Sequence, residues 1–293
     1  MNNNYVNFKK QRELGGILTD TFKFVRLEGK SLLAMILKFA GPALLIVLLA
    51  YIYYMQVTAG SFDILAVGQS SAVFGANMLV ALFAMIVSGL AFYALMYGTV
   101  LHYIKSYIKN NGTVVKAEVS AGIKNSFWNL LGISFLVGLM TIIGVFLCIA
   151  PGIYVGTVLA TTYAIHVFEG RSVTDSISYS FQLIKGEWWI TFATLLVIGL
   201  LYYVITIIFS LPGIIYSLIS VFTMSQKASV NPADMFDWVY IALNVIGMIG
   251  QYLLYAIMVI STAFIYFNLN ERKHFTGTME TIETLGKRDN SNA

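Results

Sequence analysis

Residues 128–168 read WNLLGISFLVGLMTIIGVFLCIAPGIYVGTVLATTYAIHVF. The stretch contains no Asp, Glu, Lys or Arg and is interrupted at Ala150-Pro151-Gly152. A helix rises about 1.5 Å per residue, so about 20 apolar residues cross a hydrocarbon core about 30 Å thick. Proline ends one helix and is tolerated in the first turn of the next, while glycine permits a tight turn. The stretch therefore predicts two successive membrane helices, 128–149 and 152–168.

Outward from it, four more runs have the same character, at 31–55, 77–104, 188–211 and 236–269. The first follows a polar, basic segment, is too long for a signal-peptide core and precedes no small-residue cleavage site, so it reads as a retained span. Within it, Gly41-Pro42 predicts a kink. Pro212-Gly213 is expected to stop the fifth. Residues 214–224 are apolar but too few to span, so an interfacial or re-entrant segment is expected there, with continuation of the fifth helix as the alternative. The domain plan is a cytoplasmic amphipathic segment (1–30), a six-span membrane domain (31–269) and a cytoplasmic tail (270–293).

Composition agrees. Of 293 residues, 58% are hydrophobic and 11% charged, and the mean hydropathy is +0.77. Soluble domains carry about 25% charged residues. One cysteine, Cys148, excludes an intramolecular disulfide framework and any multi-cysteine metal centre. The net charge of +4 does not point to nucleic acid, because the basic residues sit in short segments beside apolar runs. Sixteen of the 18 Lys and Arg fall in the N-terminal segment, the two connectors 105–127 and 169–187, and the tail. Lys227 is on the opposite side and Lys38 lies within the first span. By the positive-inside rule both termini are cytoplasmic, in a plasma membrane.

The segments leading into the odd-numbered spans share a pattern: Leu18-x-x-Thr21-Phe22, Ile123-x-x-Ser126-Phe127 and Ile177-x-x-Ser180-Phe181. In residues 14–25, Leu14, Ile17, Leu18, Phe22 and Val25 map to one helical face and Arg12, Asp20 and Lys23 to the other. The expected fold is all-α: three helical-hairpin units, each preceded by a cytoplasmic amphipathic helix on the inner leaflet. Met279, Ile282 and Leu285 have the spacing of a fourth such helix in the tail.

The stretch 145–200 is the most distinctive. It combines Ala150-Pro151-Gly152-Ile153-Tyr154, Phe168-Glu169-Gly170, Asp175-Ser176-Ile177-x-x-Ser180-Phe181-x-Leu183-Ile184-Lys185-Gly186 and Trp188-Trp189. It resembles a superfamily of uncharacterised six-span bacterial membrane proteins that includes the membrane domain fused to some glycerophosphodiester phosphodiesterases. The resemblance covers about 55 residues and implies a six-span fold in a bacterial inner membrane. The hydrolase domain of the fused enzymes has no counterpart here, so no catalytic residue carries over.

An ionisable group within a span costs about 2.5–3.5 kcal/mol on insertion scales, which singles out Lys38. Its stem can snorkel to inner headgroups or reach a carboxylate such as Glu187. Glu169 and Lys185, with Arg171 and Asp175, fit a charge network around the second connector. His102, His166 and Glu169 could in principle ligate a metal, but no H-E-x-x-H motif supports it, and no cofactor is expected. Asn244 and Gln251, near Tyr252, Tyr255, Tyr202 and Tyr203, fit either interhelical hydrogen bonding or a polar cavity between spans five and six. Gly152, Gly156, Ala160 and Ala164 form a small-residue stripe suited to close helix packing. Nucleotide-binding and nucleophile-elbow motifs are missing. The expectation is a non-enzymatic membrane protein that binds anionic lipid, a protein partner or a second copy, with a small-solute or lipid transporter as the alternative.

Overall fold

A computed structural model of the chain describes residues 5–67, 71–226 and 235–289, with side chains except at 61–67, 71–74, 281 and 284–289. Lys227 and the side chain of Leu285 lie outside the described residues. The described residues form helices and no strand. The helices are α1 (Leu14–Phe39), α2 (Gly41–Val67), α3 (Ser71–Lys109), α4 (Lys116–Leu147), α5 (Ile149–Leu159), α6 (Thr162–Glu169), α7 (Val173–Ile184), α8 (Trp188–Met224), α9 (Trp238–His274) and α10 (Thr276–Asp289). Among the described residues five segments are long and apolar enough to cross a membrane: Gly41–Gly60, Gly75–Lys109, Lys116–Leu147, Trp188–Met224 and Trp238–His274. Their outward surface is greasy; Phe83, Leu49, Ile208 and Leu218 are all exposed. A water-soluble globule rarely leaves so much contiguous apolar surface open. This is a multi-pass membrane protein.

Several boundaries differ from the expected ones. The first span is not one helix: α1 begins back at Leu14 and the helix breaks at Ala40, so Lys38 sits in the last turn of α1. Pro42, which has no N–H to offer the preceding turn, accounts for the break. The turn after α4 falls at Cys148, which is extended, and Pro151 lies in the first turn of α5, where its missing donor costs nothing. The expected span 152–168 is two short helices, α5 and α6, separated at Ala160-Thr161. Pro212 does not end the fifth span. Helix α8 runs through it to Met224, so 214–224 continue that helix.

Packing divides the chain into two units. The first comprises Met1–Met35, Ala94–Leu200 and Ala256–Ala293. At its centre Phe8, from the non-helical arm before α1, stacks on Phe264 at 4.3 Å and meets Phe24 edge-on at 5.3 Å. The backbone N–H of Val6 donates to the Tyr107 hydroxyl at 3.0 Å. Asn111 and Gly112 turn α3 into α4 with positive φ. Helices α3 and α4 pack closely enough that a Cβ on Gly122 would fall 2.4 Å from the His102 ring. Helices α4 and α5 run back to back, with Gly144 against Gly152 and Thr141 against Gly156. Gly170, at positive φ, closes α6, and Ser172 caps α7 by accepting the Asp175 N–H at 3.1 Å.

The second unit comprises Ile36–Tyr93 and Leu201–Tyr255. Here α8 and α9 approach backbone to backbone: a Cβ on Gly247 would lie 3.0 Å from the Phe209 carbonyl oxygen, and one on Gly250 would lie 2.3 Å from the Phe209 ring. Tyr252 meets Phe92 edge-on at 4.8 Å and Tyr202 meets Tyr255 at 6.0 Å.

Candidate functional site

Of the five residues singled out in the sequence, Glu169 and Lys185 flank opposite ends of α7, and Asn244 and Gln251 lie along α9. In the first unit, Glu169 ends α6, and its carboxylate accepts from the Tyr266 hydroxyl at 2.9 Å and from Arg171 Nε. The Arg171 guanidinium lies 3.8 Å above the Tyr179 ring, a cation–π contact. At the other end of α7 Lys185 is exposed, and its carbonyl, with that of Gln182, accepts from Lys273 Nζ. A cation at the C-terminus of a helix stabilises its unpaired carbonyls. Glu187, one candidate partner for Lys38, pairs instead with Arg272 at 3.0 Å. Asp175 serves the α7 cap rather than the charge network. The result is a basic rim, Arg171, Lys185, Arg272 and Lys273, held by α6, α7 and the end of α9.

His102 Nε2 lies 2.8 Å from the Ser126 hydroxyl, and His166 Nδ1–H donates to the Arg171 carbonyl at 2.7 Å. Thr21, Ser126 and Ser180, the hydroxyl members of the recurring pattern, each donate to a carbonyl of their own helix at 2.7 Å. Thr21 and Ser180 are fully buried. A small hydroxyl that satisfies itself locally lets another element pack against it without stranding a donor.

In the second unit Gln251 Nε2 donates to Ser210 Oγ at 2.8 Å, and its backbone carbonyl accepts from Tyr202 at 3.0 Å. Ser210 donates onward to the Thr206 carbonyl at 3.2 Å. Asn244 Nδ2 donates to the Tyr240 carbonyl at 2.8 Å, and its amide packs beside Gly213. Gln251 and Asn244 thus line the seam with α8 on either side of Pro212 rather than facing an open space. Tyr203, expected with them, is exposed. Lys38 is exposed, with Nζ 5.4 Å from the Phe39 ring centroid.

Sequence reasoning missed the best-built polar site. Arg12, assigned to a solvent-facing surface, is buried. Its guanidinium donates to the carbonyls of Asn7, Phe8 and Lys10 and to Asp20 at 2.8 Å, and it lies 4.7 Å from the Phe264 ring centroid. Its backbone N–H donates to Asn268 Oδ1 at 2.7 Å. Burial works to raise the Asp20 carboxyl, but hydrogen bonds and charge from Arg12 and Lys10 outweigh it and hold the group below the usual carboxylate range. An acid whose folded value is depressed contributes stability above its unfolded value of about 3.9, and that contribution is lost as pH falls through the folded value. The thermal midpoint in detergent should therefore drop as pH falls below about 4, with the drop reduced in Asp20→Asn. An equal acid response in wild type and Asp20→Asn would remove Asp20 as the source. Glu271 is a second buried carboxylate; it accepts the backbone N–H groups of Gly277 and Thr278 at 2.7 and 3.0 Å and anchors α10. Only the pattern of isolated charges beside aromatics, Arg12 four residues after Phe8, could have signalled this in the sequence.

Among the described residues no group of three or more His, Cys, Asp or Glu is arranged to hold a metal ion. No family model, curated protein or solved structure matches the chain.

Proposed function

We propose that this chain is a non-enzymatic, multi-pass protein of the plasma membrane, with both termini cytoplasmic, that engages anionic phospholipid of the inner leaflet in an envelope-organising or accessory role. In this reading the helix pairs α1–α2 with α3, α4 with α5–α6, and α8 with α9 are three repeats of one hairpin plan. The segment before each is the cytoplasmic lead-in, and the bacterial inner membrane is the setting that the likeness of residues 145–200 supports. The observation that carries the lipid reading is the basic rim: Lys185 and Lys273 are exposed, and each cation near an anionic membrane surface is worth about 1 kcal/mol.

Transport by a cavity through the second unit is the competing reading, and the seam around Gln251 argues against it. The amide there is satisfied by Ser210, and Gly247 and Gly250 bring α9 into contact with Phe209. Native mass spectrometry of protein extracted from mixed phosphatidylglycerol and phosphatidylcholine bilayers tests the proposal. Wild type should retain phosphatidylglycerol selectively, and Lys185→Gln with Lys273→Gln should weaken that retention by about tenfold or more. Equal retention of both lipids would overturn it, as would solute flux in vesicles that Gln251→Leu abolishes.

A further inference from the structure

The first unit gathers the beginning of the chain, the end of α3, the beginning of α8 and the end of α9. Phe8 stacks on Phe264, Val6 donates to Tyr107, and Glu187 pairs with Arg272. In a membrane these points therefore share one face. Because α3 ends and α8 begins on that face, the chain between them, 110–187, must leave and return to it. It makes two crossings or none.

Two crossings need a return helix of about 20 residues. Helix α5 has 11, about 16 Å. Helical hydrogen bonding lapses at Ala160-Thr161, whose dihedrals stay right-handed, and in α6 Thr162, Ala164 and Ile165 are buried in protein. Moreover, Tyr154, five residues into α5, stacks on Trp188 with centroids 5.6 Å apart, and Trp188 follows Glu187 of the Arg272 pair. In a crossing pair, Tyr154 would lie near the far surface, about 20 Å or more from residues at the near one. The structure puts it beside them. From Tyr154 the tip at Cys148 lies only six residues away, about 9 Å, less than half the hydrocarbon thickness.

That tip is the most exposed apolar element among the described residues of α4 and α5: Phe146 is 87% exposed, Leu147 78% and Ile149 70%. Behind it sit the amphipathic aromatics Tyr154, Trp188 and Trp189, residue types that favour the headgroup level, and then the cations Lys185, Arg272 and Lys273. An apolar groove of about 390 Å³, lined by Thr141, Ile142, Val145 and Phe146, runs beside the tip. The exposed face continues back along α4 through Leu139, Phe135 and Trp128, as it would in a hairpin lying obliquely.

We propose that α4 and α5 form a re-entrant hairpin whose tip inserts into the acyl chains of the leaflet on the side of the termini and does not reach the other face. The hydrocarbon of that leaflet covers residues 146–149, and anionic headgroups meet the cations behind them. The inference rests on the membrane reading above and changes the crossing count from six to four.

Cys148, the sole cysteine, reports on it directly. A membrane-impermeant maleimide is applied to right-side-out and inverted vesicles containing the full chain. Two Cys148→Ser backgrounds carrying Lys23→Cys or Ser225→Cys mark the two faces. Expected is that Cys148 is protected from both sides and reacts at least tenfold faster after detergent solubilisation. Labelling of Cys148 from the Ser225→Cys side would show a crossing pair and overturn the proposal. Labelling from the Lys23→Cys side alone would place the tip in water and overturn it too. If the two marker cysteines label from the same side, the underlying membrane topology fails instead, a result distinct from either.

Discussion

Replacing Arg12 with alanine is expected to cost about 3 kcal/mol of stability and to release the N-terminal arm. The guanidinium is buried and donates to three backbone carbonyls and a carboxylate. Removing one partner of such a cluster leaves the others desolvated and unpaired, at a cost of about 3–5 kcal/mol. Asp20 retains Lys10 as a second partner at 3.2 Å and some access to water, which places the loss at the lower end. A domain of this size should then unfold roughly 6–12 °C earlier. Trypsin provides the local readout: Lys9 and Lys10 belong to the arm that Arg12 pins, so cleavage there should accelerate far more than elsewhere. Arg12→Lys keeps the charge but not the planar fork, and should recover less than half of the stability. An unchanged melting midpoint together with undiminished protection at Lys9 and Lys10 would show that Phe8 alone holds the arm.

Gly152→Val is the second large effect. A Cβ at residue 152 would sit 2.8 Å from the backbone nitrogen of Val145 and 2.9 Å from its Cα. Neither atom can rotate away, so α4 and α5 must separate, and overpacking of this kind costs about 1–3 kcal/mol. The expected result is a lowered melting midpoint and faster modification of Cys148 in detergent. Gly156→Ala is the matched control. Its Cβ would meet only the Thr141 methyl at 3.6 Å, an ordinary contact, so stability should change little. If both substitutions are equally mild, the close approach of α4 and α5 at Gly144 and Gly152 is not the contact that holds the pair.

These two glycines show where sequence reading loses resolution. Gly152 and Gly156 belong to one small-residue stripe and look equivalent there, yet only Gly152 abuts backbone. Spacing reports which face a residue occupies and not how closely the neighbouring helix approaches it. Pro212 is a second case. Local chemistry says that proline stops a helix, because its N–H is missing and its ring crowds the previous turn. Helix α8 nonetheless continues, packed along α9 through Gln251, Ser210 and Gly247, as membrane helices can when neighbouring side chains satisfy the freed backbone groups. The candidates Asn244 and Gln251 were legible as polar residues in an apolar helix, but the pairing of Gln251 with Ser210 on α8 and of Asn244 with the Tyr240 carbonyl of its own helix was not. Glu169 and Lys185 were legible as connector charges. Their separation to opposite ends of α7 followed from the fold.

Composition and apolar run length were enough to establish a helical membrane protein, because burying a helix-length apolar surface in lipid is a property of the segment alone. The distribution of Lys and Arg was likewise enough to propose a side for each connector. Contacts between distant segments had to settle the rest. Arg12 becomes an interior residue because Phe264 and Asn268 arrive from the other end of the chain. The apolar run at 128–168 yields one long helix and two short ones because α5 breaks before α6 packs into protein. Whether a greasy segment crosses or turns back depends on what its ends are tied to, and hydropathy does not encode those ties.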